Sequence, residues 1–335
     1  MPTARAPTPP HRPAGESTGL LGWLLRLLGL LIAALALTLA AIRAPERPLE
    51  SLVARWAPPP SDFAEVAGQL VHYRDEGPRG DPLPIVLIHG TAASLHTWEG
   101  WVQALKGQRR VITFDLPGFG LTGPSATGDY SDEAYIAFVL ALLDRWKLPR
   151  VVLGGNSLGG QIAWELAALH PERVAALVLV DAGGLDFQSE SVPLGFRLAR
   201  VPGVRFILEG VLPRRVIESS VSNVYGNPAR IKPGVVDRYF ELALREGNRG
   251  ALVRRFEQRR PGYYADRLAS LRQPTLILWG GRDRLIPPAN GQQFAKSIAG
   301  SRLVMFDELG HVPQEEDPQA TVAELAGFLQ SLNKP

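Results

Sequence analysis

The stretch GGNSLGG, residues 154–160, restricts the possible folds of this chain more than any other feature. It directly follows the apolar run VVL at residues 151–153 and precedes IAWELAAL, a segment with helical spacing. Its centre fits the pattern G-x-S-x-G, in which a serine occupies a sharp turn between a buried strand and a helix. Glycines on both sides of the serine let the two elements approach closely. The sequence therefore predicts a strand, a tight turn that presents Ser157, and a helix.

Short apolar runs alternate with amphipathic stretches from residue 61 onward, a pattern typical of a parallel sheet covered by helices. An edge hairpin is predicted over residues 63–77. Six further strands are predicted at 84–90, 110–118, 150–156, 174–184, 274–283 and 301–311. We therefore predict an α/β fold with a mostly parallel eight-stranded sheet and helices on both faces.

The interval 185–270 breaks this alternation. It has no clear apolar strand, is punctuated by Pro and Gly, and contains helix-like stretches such as KPGVVDRYFELALREGN. We interpret it as a helical lid inserted after the sixth strand. The α/β core would then consist of residues 63–184 and 271–335.

Residues 20–42 read LLGWLLRLLGLLIAALALTLAAI, with Arg26 as the only charged residue. At about 1.5 Å per helical residue they span roughly 34 Å, enough for a hydrocarbon core of about 30 Å. We interpret residues 19–43 as a transmembrane or signal-anchor helix. Two alternatives stay open: a signal peptide cleaved after the small-x-small triplet at 38–40, and a helix that does not span.

The segments that flank this helix have distinct compositions. Residues 1–18, rich in Pro, Thr, Ala and Arg, are expected to form a disordered tail. Residues 44–62 include the run WAPPP and are expected to form a stiff linker. Arginines flank the apolar segment almost evenly, so orientation is weakly indicated. We expect the folded domain to be periplasmic or extracellular, with a cytoplasmic location left open.

Composition excludes several kinds of site. The chain has no cysteine, so disulfides, thiolate catalysis and cysteine-ligated metals are excluded. A formal net charge of +3, from 36 basic and 33 acidic residues, does not indicate nucleic-acid binding. Basic residues outnumber acidic ones in the lid. A solvated surface, an anionic substrate group and contact with lipid headgroups are three explanations that stay open. The oligomeric state is not indicated.

A serine near its free pKa is a poor nucleophile, so it needs a histidine base supported by a carboxylate. His311, in ELGHVPQEEDP, follows a predicted strand at the sheet edge where ligands meet open α/β folds. It is the predicted base. We interpret four other histidines as exposed or capping residues: His11, His72, His96 and His170. We interpret His89 as loop support.

Two aspartates compete for the role of the supporting acid. Asp283, in WGGRDRLIPP, follows a predicted strand and gives the chain order serine, aspartate, histidine that this kind of site uses. Asp181, at the end of LVLVD, could also reach the histidine. We favour Asp283.

The loop HGTAAS, residues 89–94, follows the strand at 84–88 and suits an oxyanion hole. The backbone N–H of Thr91 and the N–H of Leu158, at a helix N-terminus, are the two predicted donors. Gly90 allows close approach, and His89 is predicted to orient the loop by hydrogen bonding.

Five ordered motifs resemble the α/β-hydrolase superfamily over about residues 64–332. They are LIHGTAASLHTW, FDLPGFGLT, GGNSLGG, LILWGGRDRLIPP and ELGHVPQEEDP. The resemblance implies acyl transfer to water, in which Ser157 forms an acyl-enzyme and His311 activates the water that releases the acid. It implies no metal and no cofactor. A serine at position 157 argues against haloalkane dehalogenases and epoxide hydrolases, which use aspartate.

Within the superfamily the motifs resemble the subgroup of meta-cleavage-product C–C hydrolases, esterases and cofactor-free haloperoxidases. The plain GTAAS loop and the apolar N-terminal segment depart from the soluble C–C hydrolases. We therefore expect a membrane-associated serine esterase acting on a small-molecule acyl substrate. C–C bond hydrolysis of vinylogous diketones and a non-catalytic binding protein are the alternatives.

Overall fold

The computed structural model describes residues 19–201, 203 and 210–332. The chain divides into two compact units, Met1–Arg43 and Ala44–Pro335. The tail expected at residues 1–18 lies outside the described residues.

The first unit contains helix α1, Leu20–Ala41. Its Leu20–Thr38 window has a mean hydropathy of 2.3 and no buried residue. This helix is long and apolar enough to cross a membrane, and a signal sequence would have the same properties. The predicted N-terminal hydrophobic helix is thus confirmed.

The second unit is built on one eight-stranded sheet with the order β1-β2-β4-β3-β5-β6-β7-β8. The strands are β1 Asp62–Val66, β2 Gln69–Glu76, β3 Ile85–Ile88, β4 Val111–Phe114, β5 Val151–Asn156, β6 Val174–Val180, β7 Thr275–Gly280 and β8 Arg302–Phe306. Strand β2 pairs antiparallel with β1 and β4, and all other pairs are parallel. The predicted sheet is confirmed.

Helices cover both faces of this sheet. Along β3, Val86 and Ile88 belong to one buried cluster, and Ile85 and Leu87 belong to another, because successive side chains point to opposite faces. The helices of the second unit are α2 Glu50–Trp56, α3 Glu99–Leu105, α4 Asp132–Arg145, α5 Leu158–Leu169, α6 Leu194–Ala199, α7 Arg214–Val224, α8 Val235–Ala243, α9 Asn248–Gln258, α10 Pro288–Ser297, α11 Pro313–Glu316 and α12 Pro318–Ser331. The first cluster includes residues of α4, α5 and α10, and the second includes residues of α3 and α12.

Helices α6 to α9 lie between β6 and β7, where the sequence predicts the lid. No strand occurs among the described residues of this insertion. Residues 202 and 204–209 of the interval are outside the described part. The insertion after the sixth strand is therefore helical, as predicted.

Residues 44–62, interpreted above as a linker, are folded against the lid. They contain α2, whose Leu52 is fully buried and packs with Leu242 of α8 and with Leu121. The Trp56 indole donates a hydrogen bond of 2.8 Å to Glu241. The sequence does not predict this helix, because ESLVARW is too short to show a clear helical period and the prolines that follow it favour an extended chain.

The buried contact of Leu52 yields a prediction about stability. Replacing Leu52 by Ala removes a fully buried side chain and should lower the free energy of unfolding by about 2–5 kcal/mol. Urea unfolding of the full chain in detergent measures this loss, with Val53→Ala on the same helix as the half-buried control. A loss for Leu52→Ala no larger than for the control would mean that this segment does not belong to the folded unit.

Candidate active site

Ser157 occupies a strained turn between β5 and α5, with φ 55° and ψ −116°. Side chains cannot be added on either side of it. A Cβ at Gly155 would lie 2.2 Å from the carbonyl carbon of Gly159, and a Cβ at Gly159 would lie 2.1 Å from the carbonyl oxygen of Ile88. The two glycines therefore let the strand and the helix close around the serine, as the G-x-S-x-G pattern predicts.

His311 and Asp283 form a buried pair. The Nδ1 atom of His311 lies 2.7 Å from Oδ2 of Asp283. The other oxygen of Asp283 accepts the backbone N–H groups of Leu285 and Ile286, at 2.8 and 3.0 Å. This carboxylate is thus fixed in place, and it orients the imidazole so that Nε2 remains available for proton transfer.

Ser157 and His311 line one cavity. The backbone brings them together, because the Asn156 amide donates a 2.9 Å hydrogen bond to the carbonyl oxygen of His311. Within the described part of the chain, no hydrogen bond joins Ser157 Oγ to His311 Nε2. Catalytic hydrogen bonds are often long without substrate and tighten in the complex.

The two predicted oxyanion donors also lie at this point. Thr91 and Leu158 line a common cavity with Ser157, and neither backbone N–H donates a hydrogen bond to any described residue. A Cβ at Gly90 would approach Ser157 Cβ to 3.1 Å, so the loop at 89–94 passes close to the serine. Two free N–H groups next to a hydroxyl can stabilise a developing oxyanion.

His89 holds this loop from behind. Its Nε2 accepts the Leu116 N–H at 2.9 Å, so the proton resides on Nδ1, which donates to the Gly90 carbonyl at 2.7 Å. Complete burial lowers the pKa of His89, which keeps the ring neutral. A neutral ring with both nitrogens engaged serves to orient the loop.

Asp181, the competing acid, lies beside the pair and forms no hydrogen bond with His311. Its Oδ1 accepts the Gly280 N–H at 2.9 Å, and ligand atoms of Asp181, Asp283 and His311 all lie within 4.8 Å of one another. Burial and the charge of Asp283 raise the pKa of Asp181 well above its ordinary value. As a neutral acid it can donate its proton to Asp283 from Oδ2, which otherwise has no partner among the described residues.

Comparison with known proteins identifies the family of this chain. The α/β hydrolase fold family matches residues 84–318, most of the second unit. The chain belongs to the α/β-hydrolase family.

The 2-hydroxy-6-oxo-2,4-heptadienoate hydrolase of Pseudomonas putida is 29% identical over 259 residues, covering 73% of this chain and 88% of that protein. Among solved structures, a meta-cleavage product hydrolase from Pseudomonas fluorescens aligns with a TM-score of 0.71 at 22% identity, over 81% of this chain and 98% of its own. A bacterial membrane phospholipase A aligns with a TM-score of 0.71 at 24% identity, over 94% of this chain and 99% of its own. The structural likenesses show the fold, and the chain is a hydrolase of the α/β type.

The cavity shared by Ser157 and His311 in this α/β hydrolase is lined mainly by apolar side chains. Those contributed by the lid include Phe196, Leu198, Val216, Ile217, Val221 and Leu252. An apolar chain attached to the reacting carbonyl could be buried here.

Two consecutive glutamates that the sequence reading overlooked fasten the histidine loop to the lid. Glu316 accepts the N–H groups of Gly310 and Gly226, both at 2.9 Å. Glu315 forms a buried ion pair with Arg238 of α8 at 2.8 Å. In the sequence these acids follow His311 and resemble a solvated first helical turn, so their distant partners could not be recognised.

A second Ser-His-Asp chain exists away from the cavity. His72 Nδ1 lies 2.7 Å from Asp115, and His72 Nε2 lies 2.9 Å from Ser61 Oγ. His72 and His96 are buried, so their interpretation as exposed or capping residues was wrong. Residues 44–62 cover them, since His96 Nε2 also contacts the Trp56 carbonyl at 2.8 Å. Ser61 does not line the cavity of Ser157, and its bonds fasten this segment to the sheet.

The environment of Asp181 predicts how the site responds to pH. The pKa of Asp181 is higher in the folded state than in the unfolded state. The protonated carboxyl therefore stabilises the fold at low pH, and this stabilisation is lost as the pH rises through the folded-state pKa. Asp181→Asn keeps one acceptor and one donor and should retain activity at neutral pH, within about threefold. Its melting temperature should fall less than that of the wild type between neutral and alkaline pH.

Asp181→Ala is the matched control, because it leaves the Gly280 N–H without its acceptor. At neutral pH it should be about 1–3 kcal/mol less stable than the wild type, and like Asp181→Asn it should show a smaller alkaline loss. Equal alkaline destabilisation of wild type and Asp181→Asn would show that Asp181 is already ionised at neutral pH.

Proposed function

We propose that this protein is a serine hydrolase that cleaves carboxylic esters through an acyl-enzyme on Ser157. The proposal rests on one observation: three features come together at the strained Ser157. These are a cavity shared with His311, the Asp283 carboxylate on the far nitrogen of that histidine, and two unbonded backbone N–H groups.

The reaction follows from these positions. Nε2 of His311 takes the Ser157 proton as Oγ attacks the ester carbonyl, and the N–H groups of Thr91 and Leu158 bind the resulting oxyanion. The imidazolium, held by Asp283, then gives its proton to the departing alcohol. Water, deprotonated by the same histidine, attacks the acyl-enzyme and releases the carboxylic acid and the free serine.

The apolar lining of the cavity supports burial of the acyl chain. Lid residues such as Val216 and Ile217 would remove its methylene groups from water, at about 0.8 kcal/mol per buried group. We expect cleavage of esters with short to medium acyl chains.

C–C bond hydrolysis is the second candidate, since a relative at 29% identity bears the name 2-hydroxy-6-oxo-2,4-heptadienoate hydrolase. Both reactions use a serine, a histidine and an oxyanion hole. A panel of 4-nitrophenyl esters of several chain lengths, run beside a vinylogous diketone, separates them. Turnover of the diketone alone would replace ester cleavage as the function.

The nucleophile can be tested directly. Ser157→Ala should abolish labelling by a fluorophosphonate probe and lower kcat/KM for 4-nitrophenyl esters by about ten-thousandfold or more. Ser61→Ala is the matched control, because Ser61 also contacts a histidine that is paired with an aspartate. It should leave labelling intact. Labelling that persists in Ser157→Ala and disappears in Ser61→Ala would assign the reaction to the other serine.

We further propose that α1 anchors the chain in a membrane, with the catalytic unit on the periplasmic or extracellular side. The exposed leucines of α1 support this, because water contact over such a surface is unfavourable. The fold likeness to a membrane phospholipase A, which covers 94% of this chain, is consistent with it.

Topology can be measured with reporters fused after residue 335. Alkaline phosphatase, which folds only outside the cytoplasm, should be active, and a fused green fluorescent protein should be dark when exported through the general secretory route. The opposite pattern would place the catalytic unit in the cytoplasm. Recovery of a soluble fusion that has lost residues 1–40 would instead identify α1 as a cleaved signal peptide.

A further inference from the structure

A second cavity opens at Ser157 and differs in character from the apolar one. The residues of the oxyanion hole, Thr91 and Leu158, line it together with the serine. Its other side is formed by the lid, which contributes three arginines to it: Arg200, Arg255 and Arg259. The nucleophile therefore lies where an apolar cavity and a cationic cavity meet.

One of the three arginines already has an anionic partner. Arg255 forms a buried ion pair with Asp132 at 2.8 Å and donates to the Tyr130 carbonyl at 3.0 Å. Glu165, a buried acid of α5 in the same region, accepts a hydrogen bond from Gln161. Burial raises the pKa of Glu165 to about 8, so it is mostly protonated at neutral pH and does not offset the remaining cations.

Arg200 and Arg259 have no anionic partner among residues 19–201, 203 and 210–332. The Arg200 guanidinium lies over the Phe256 ring, 4.8 Å from its centroid. Burial and the neighbouring charges of Arg200 and Arg255 lower the pKa of Arg259, against a weaker opposing effect of Asp132 and Asp186. Arg259 is half-buried and Arg200 is exposed, and an anion bound between these two like charges would relieve their repulsion.

A solvated basic surface does not account for this pair. Other lid arginines fit that description: Arg197, exposed like Arg200, does not line this cavity, and Arg260 pairs with Glu133 at the surface. Arg200 and Arg259 differ because both line the cavity that contains the nucleophile, and Arg259 is half-buried there. Their position points to a ligand rather than to solvent.

We propose that Arg200 and Arg259 bind an anionic group, phosphate or carboxylate, on the alcohol portion of the ester, while the acyl chain occupies the apolar cavity. This inference rests on the proposed ester hydrolysis. Ser157 lines both cavities. When it attacks an ester carbonyl, the acyl chain and the alcohol portion therefore lie in environments of different polarity. The apolar half suits the acyl chain, and the cationic half suits a charged leaving alcohol.

Matched substrates test the assignment. The wild type should prefer 1-octanoylglycerol 3-phosphate over 1-octanoylglycerol, and Arg259→Gln and Arg200→Gln should each lower kcat/KM for the phosphorylated ester by about tenfold. Activity on the neutral ester should not change. Arg197→Gln, on α6 three residues before Arg200, is the control and should affect neither substrate. Equal losses on charged and neutral esters would assign the arginines a structural role only and overturn the proposal.

A second pair of substrates identifies the anion. 4-Carboxyphenyl octanoate and its methyl ester differ only in a carboxylate on the leaving group. Losses confined to the phosphate pair would identify a phosphate site, losses confined to the carboxylate pair a carboxylate site, and losses in both a site for either anion. Absence of any loss in both pairs contradicts the proposal.

Binding separates this inference from the catalytic one. In Ser157→Ala, the non-hydrolysable ether 1-O-octylglycerol 3-phosphate should bind about tenfold more tightly than 1-O-octylglycerol by calorimetry, and Arg259→Gln should remove the difference. Arginine-dependent binding in a protein that cleaves no ester would retain the anion site and reject the proposed function. Ester cleavage without arginine-dependent binding would retain the function and reject the anion site.

Discussion

The close approach of three backbone segments around Ser157 is the constraint on which the rest of the site depends. The absence of Cβ atoms at Gly155 and Gly159 lets β5, α5 and the end of β3 come within contact distances that no side chain would allow. The same approach turns the serine into positive φ and brings the loop of Thr91 beside it. Strain at one residue is tolerated because the surrounding packing determines its position.

Contacts between residues far apart in sequence hold the other loops in place. Asn156, next to the nucleophile, binds the backbone of His311, and Glu316 binds the N–H groups of the histidine loop and of the lid. A displacement of the lid would therefore affect the base as well as the cavity wall. Buried hydrogen bonds of this kind are costly to break, since each leaves a group without a partner.

The sequence was sufficient for the fold and for the identity of the converging loops. Apolar runs predict the strands, and the positions of Asp283 and His311 directly after predicted strands place them at one sheet edge. The sequence could not predict contacts between distant segments, because such contacts leave no periodic pattern in either segment. The covering of His72 by residues 44–62 and the partners of Glu315 join segments with no common pattern, so burial there became visible only in three dimensions.

The balance of charge around Ser157 gives the site its chemical direction. Burial raises the pKa values of Asp181 and Glu165 because ionisation in a desolvated position is unfavourable, whereas Arg259 has no carboxylate partner among the residues that the structure describes. Within the described part of the chain, Asp283 is the carboxylate hydrogen-bonded to His311, where in the proposed reaction it would stabilise the imidazolium. Ser157 lies beside the N–H groups of Thr91 and Leu158, which have no partner among the described residues, in a cavity that Arg259 also lines. In the proposed reaction this arrangement would favour negative charge as it develops on the carbonyl oxygen, and it would favour a substrate that already carries negative charge on its leaving group.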